Sequence, residues 1–86
     1  MNYTVDWLAV AEQDLATVWL AAPDRTDAAE ASHRLDERLA EDPLHFGESR
    51  TSSIHCVAFD PPIGVEFEVI EDDKRVLVLA VWLVVR

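Results

Sequence analysis

The run "VLVLAVWLVV" at residues 76–85 sets the tightest limit on how this chain can fold. At ten residues it is about half of what a helix needs to cross a bilayer. Its Val, Leu and Trp content suits a strand. Alternation places Val76, Val78, Ala80, Trp82 and Val84 on one face and Leu77, Leu79, Val81, Leu83 and Val85 on the other. A strand that is apolar on both faces needs cover on both, which puts it inside a sheet or against another chain. Two helical segments are the cover the sequence offers, enough for one face of a small sheet. The second face is then either curled under its neighbours or a surface for a partner, which makes Leu77, Leu79, Val81 and Leu83 candidate partner-binding residues.

The segments around this strand follow from periodicity. Tyr3, Val5 and Trp7 alternate with Asn2, Thr4 and Asp6, predicting a first strand. Leu8, Ala11, Leu15, Val18, Trp19 and Ala22 then recur at helical spacing, with Glu12, Gln13 and Asp14 turned outward, and Pro23 closes the helix. Asp24 is placed to cap a second helix, whose buried stripe is Ala28, Ala31, Leu35 and Leu39 and whose solvated face includes Arg34 and Asp36. Pro43 ends it. After a polar loop, residues 54–59 read as a strand, "DPPIG" as a turn, "VEFEVI" as a strand with one wet face, and "EDDK" as a hairpin turn into the last strand. The predicted order is β-α-α-β-β-β in a single domain over residues 1–86, an α+β fold.

Composition narrows the partners. Seventeen acidic and seven basic residues leave a formal charge of −10, which repels a phosphate backbone, so direct nucleic-acid binding is not expected. The lone Cys56 forms no internal disulfide and suits a reducing cytosol, and the first residues lack the pattern of a signal peptide; a cytoplasmic protein with no membrane role is expected. No cofactor is implied, and His33, His45 and His55 lack the spacing of metal ligands.

Few side chains offer chemistry. Arg50 follows Gly47 and Ser49 in the predicted loop, where backbone N–H groups can gather an anion. His55 is a candidate acid or base by its ordinary pKa. Cys56 adjoins it, but neighbours on a strand point to opposite faces and cannot form a nucleophile–base pair, so Cys56 is read as a core residue. Glu66 and Glu68 share a face and form either the solvated side of their strand or a docking site for a basic partner. Trp7, Trp19 and Trp82 all fall on apolar stripes and are read as core.

Across nearly its whole length the chain resembles the RelE/ParE superfamily of toxins from toxin–antitoxin systems. The matching stretches are "YTVDWLAVAEQDLATVWLA", "AAEASHRLDERLAEDP", "GESR" and "VEFEVIEDDKRVLVLAVW". The resemblance implies a small antiparallel sheet packed on an N-terminal helical hairpin. It also implies a cognate antitoxin, which would supply the missing cover for the apolar strand. RelE-like members cut ribosome-bound messenger RNA with basic and acid–base side chains on the sheet, whereas ParE-like members lack that set and poison DNA gyrase. Matched to the ribonuclease pattern, the basic residue near the start of the second strand is His55 here, the arginine of the third strand corresponds to Val65 with Glu66 beside it, and the catalytic group ending the last strand meets Leu83 and Val84. Arg50 and Arg86 remain as cations. The expectation is a ParE-like toxin acting by protein binding. The alternatives are a ribosome-dependent endonuclease acting through Arg50, His55 and Arg86, or a non-toxic interaction module, including a homodimer with the last strand against another copy.

Overall fold

The chain enters a short strand, β1 (Thr4–Trp7), followed by a helical hairpin of α1 (Ala9–Ala21) and α2 (Arg25–Glu41). It then runs through β2 (Glu48–Ser52), β3 (His55–Asp60), β4 (Ile63–Ile70) and β5 (Arg75–Leu83). The computed structural model describes residues 2–43, 48–52 and 55–84, with 48–52 as backbone alone. The strands form one sheet in the order β1-β5-β4-β3-β2, with both helices on one face. The α+β class and the helical hairpin match the sequence reading.

Two features of the sheet differ from the expectation. First, Glu48–Ser52 lies in the predicted polar loop but pairs antiparallel with β3, Glu48 opposite Val57 and Ser52 opposite His55. Its residues "ESRTS" carry no apolar alternation, so periodicity cannot reveal it; a polar strand is what protects a sheet edge from pairing with other chains. Second, the sheet is mixed, because β1 pairs parallel with β5. That register sets Val5 beside Val76 and Trp7 beside Val78, which aligns the apolar side of β1 with that of β5 under the helices.

The interior placement of β5 between β1 and β4 answers the demand of its double apolar character. The predicted division of its faces, however, fails midway. Glu66 pairs with Ala80 but Phe67 pairs with Val78, so β5 holds one more residue than β4 opposite it, and Leu79 is the extra one. Beyond this bulge the alternation inverts: Val76, Val78 and Val81 are buried toward the helices, while Ala80 and Trp82 pass to the open face beside Leu77. Asp14 of α1, predicted to point outward, turns in and accepts the Val81 N–H at 3.3 Å. This satisfies a backbone donor in the irregular stretch of the ladder.

The core is built from the four buried apolar side chains of β4 (Ile63, Val65, Phe67, Val69) against the α2 stripe of Ala28, Ala31, Leu35 and Leu39. Cys56 sits in this core, opposite Phe67 and away from the His55 face, as its strand position required. Specific polar contacts tie the layers together. Arg34, predicted on a solvated face, reaches Asp60 at the end of β3 through two bonds of 2.8 Å, and Trp7 Nε1 donates to Asp36 Oδ1 at 3.0 Å. The Asp60 carboxylate raises the Arg34 pKa. At the hairpin between β4 and β5, Tyr3 donates its hydroxyl to Glu71, which also pairs with Lys74. Lys74 takes a left-handed backbone, φ 51°, with its ammonium 5.2 Å from the Tyr3 ring centroid.

α1 departs from its predicted stripe. Ala11, Val18 and Ala22 are buried and Leu15 packs against the core, but Leu8 and Trp19 are each 40% exposed; Val10 and Leu20, outside the stripe, exceed 60%. No helix among the described residues is long and apolar enough to cross a membrane.

Two outcomes test these contacts. Asp24 accepts the Asp27 N–H at 3.1 Å as the cap of α2; Asp24→Ala should lower unfolding free energy by about 1 kcal/mol in urea denaturation. The Tyr3 hydroxyl, and after it Lys74, lower the Glu71 pKa below its ordinary 4.5. A depressed carboxylate stabilises above its unfolded pKa and ceases to do so as pH falls through the folded value. The melting temperature of the wild type should therefore exceed that of Glu71→Gln at neutral pH, and the difference should vanish in strong acid.

Candidate functional site

With both helices on one side, the opposite face of the sheet is left open, and it gathers the polar chemistry. Register places Asp6, Leu77, Glu68 and His55 in one row across β1, β5, β4 and β3. The next row holds Ala80, Glu66 and Val57, and the one after it Trp82, Gly64 and Phe59. These rows exist because β3 and β4 alternate cleanly about the two-residue turn Pro61–Pro62, whose peptide is cis.

The centre of the face is a histidine–carboxylate contact. His55 Nε2 lies 2.8 Å from Glu66 Oε2, each side chain about one-third exposed. His55 directly opposes Glu68, so it reaches Glu66 along the diagonal, a distance that long side chains span. Such a pair can orient an imidazole and hold a proton. At the edge toward β1, Arg75 pairs with Asp6, whose carboxylate raises the arginine pKa. Among the described side chains of this face, the one arginine and the one histidine are thus both engaged by carboxylates.

The third row is an aromatic shelf. Phe59 and Trp82 meet edge to face with centroids 6.1 Å apart, flanking Gly64. A Cβ on Gly64 would stand 2.6 Å from the Trp82 ring atoms Cε2 and Nε1, so the indole lies over the glycine backbone. Phe59 is half exposed. Trp82, read from sequence as core, is instead a half-buried member of the open face, a consequence of the bulge at Leu79. A readable signal did exist: a two-residue turn at Pro61–Pro62 forces Phe59 opposite Gly64.

The sequence-derived candidates divide as follows. His55 and Glu66 come together, with Glu68 in the adjacent row. Arg50 lies on β2, between the residues that pair with Cys56 and His55, and only its backbone is described. Arg86 and His45 fall outside the described residues. Leu77, Leu79, Val81 and Leu83 do not share a face: Leu77 is half-buried on the open side, Leu79 is the bulge, Val81 is in the core and Leu83 pairs with core Ile63 at the strand end. Val65, matched to a ribonuclease arginine, is fully buried toward the helices, and Glu66 occupies the open face there.

A cleft of about 570 Å³ opens elsewhere, between α1 and α2, lined by Trp19, Arg25, Ala29, His33 and Arg34 among others. Polar side chains lining it are also occupied: Arg25 lies 5.1 Å from the Trp19 ring centroid, His33 contacts Glu37 at 2.9 Å, and Arg34 binds Asp60.

No family model and no curated protein matches the sequence. Solved structures do match. A chain of the RelBE2 toxin–antitoxin complex of Mycobacterium tuberculosis superposes with a TM-score of 0.77 at 21% identity, over 96% of this chain and 99% of that one. A double arginine-to-alanine mutant of the E. coli toxin RelE in the free state gives 0.74 at 15% identity, over 96% and 84%. A chain of the chromosomal ParDE toxin–antitoxin system of P. aeruginosa gives 0.71 at 14% identity, over 96% and 97%. The chain therefore has the fold found in RelE and ParE toxin–antitoxin proteins.

The Trp82–Gly64–Phe59 shelf is directly testable. Gly64→Ala should displace the indole, cost about 1–3 kcal/mol as overpacking does, and shift the tryptophan emission; an unchanged spectrum and stability would show that the ring does not rest on the glycine.

Proposed function

We propose that this chain is the toxin-fold member of a toxin–antitoxin pair and acts by binding protein, as ParE-like members do, with a cognate antitoxin as its partner and DNA gyrase as its target when free. One observation carries the reading. The open face is acidic where RNA cleavage requires cations: among the described side chains Glu66, Glu68 and Asp6 occupy it, Arg75 is paired with Asp6, and the His55 ring is turned to Glu66. A ribonuclease must hold a phosphate and offset the charge that develops on it in the transition state. Carboxylates in those places oppose both. The same groups beside half-buried Leu77 and Ala80 and the Phe59–Trp82 shelf suit a protein segment carrying Lys or Arg among apolar residues. Leu77, Glu66 and Glu68 remain as contact residues of this surface, while Val81 belongs to the core that supports it.

The fold likeness to chains from toxin–antitoxin complexes supports the choice of partner. Expression of the chain alone in a bacterium should arrest growth, and co-expression of the adjacent small gene should relieve the arrest. Messenger RNA on translating ribosomes should stay intact when the purified protein is added; cleavage at defined codons would instead assign the RelE-type activity. Glu66→Lys combined with Glu68→Lys should weaken antitoxin binding by about tenfold or more, since the complementary charge is inverted.

A further inference from the structure

We propose that two copies of this chain associate through the outward face of α1, with their α1 helices packed antiparallel. Among the described residues, the large apolar side chains left exposed are Leu8, Val10, Trp19, Leu20, Phe59 and Leu83, and the first four lie on α1 or at its start. At 100° per residue, Ala9, Gln13, Ala16 and Leu20 align opposite the buried Ala11 and Val18, with Val10 and Thr17 beside them. All six are exposed and none is charged. A helix apolar nearly all round is normally covered all round.

Charge selects the occupant. In a chain of net charge −10, most faces bring carboxylates toward a second copy: α2 presents Glu30, Glu37 and Glu41, and the open sheet face presents Glu66 and Glu68. The outward strip of α1 lets identical chains approach without that repulsion. It is also self-complementary. Val10 and Leu20, the most exposed of the apolar residues at 63% and 62%, are equidistant from residue 15, so an antiparallel pair centred there sets each Val10 level with the other copy's Leu20. Ala9 and Ala16 allow the backbones to come close. In the same register Glu12 stands level with residue 18 of the other copy, next to Trp19, on which Arg25 lies. Trp19 borders the cleft between α1 and α2, and Glu12 lines a second hollow with Trp7, Leu15, Ser32, His33 and Asp36 on the same side of the strip. A two-fold axis keeps that side facing its equivalent, so each Glu12 meets the other copy's Arg25, once per protomer.

Sedimentation equilibrium of the full chain tests this. A single helix-on-helix contact falls below the roughly 1,200 Å² of a stable interface, so loading should run from about 10 μM to about 1 mM. Salt near 0.5 M shortens the Debye length to about 4 Å and screens the net repulsion. The weight-average mass should climb from 9.7 kDa toward twice that value. Val10→Glu and Leu20→Glu, both at exposed sites and checked for native circular dichroism, should hold the protein monomeric. Glu12→Arg should weaken association at least threefold, and adding Arg25→Glu should restore it. A monomer throughout the range, or a dimer that Val10→Glu and Leu20→Glu both leave intact, would overturn the proposal.

Discussion

One extra residue in β5, Leu79, decides which side chains of the sheet reach the helices and which are left on its open face. Without the bulge, period-two alternation would carry Trp82 toward α1 and Val81 out to solvent. With it, Val81 joins Val76 and Val78 in the core, and Trp82 crosses to lie over Gly64 beside Phe59. The helix layer accommodates the irregularity through Asp14, which accepts the Val81 N–H. The open face therefore owes its aromatic shelf to a defect in the ladder, and bulges are a recurrent means of re-aiming a side chain.

The electrostatics of that face follow from the same registers. Because β3 and β4 alternate without interruption, His55, Glu66 and Glu68 are delivered to one side, and the parallel pairing of β1 adds Asp6 next to Arg75. Among the described side chains, carboxylates engage Arg75 and His55, and the chain as a whole carries a formal charge of −10. Such a surface attracts cationic protein segments and repels polyanions. The fold is that found in RelE and ParE toxin–antitoxin proteins, and the proposed protein-binding role rests on these carboxylates.

Much of the framework was readable from residue order. The α2 stripe of Ala28, Ala31, Leu35 and Leu39 is buried as its spacing required, Asp24 caps the helix, and the double apolar face of the last strand placed it inside the sheet. What periodicity could not supply were features set by pairing. β2 is polar and is held in the sheet by its pairing with β3. The parallel β1–β5 pair joins segments at opposite ends of the chain. The contacts of Arg34 with Asp60, Trp7 with Asp36 and His55 with Glu66 each require a register or a helix orientation before they become visible. Of the site, His55 and Glu66 were singled out separately; that they touch depends on a diagonal across two strands. Phe59 and Gly64 carried no chemical signal by themselves.

RNA affinity tests most directly whether the open face recognises protein and not a phosphate backbone. Fluorescence anisotropy of a labelled single-stranded RNA, titrated with the purified chain at low ionic strength, should show no saturable binding, since phosphate contacts are strongest under those conditions. Saturable binding that weakens steeply as salt is added, and that Glu66→Gln tightens, would contradict the protein-binding role and place a nucleic acid on this face.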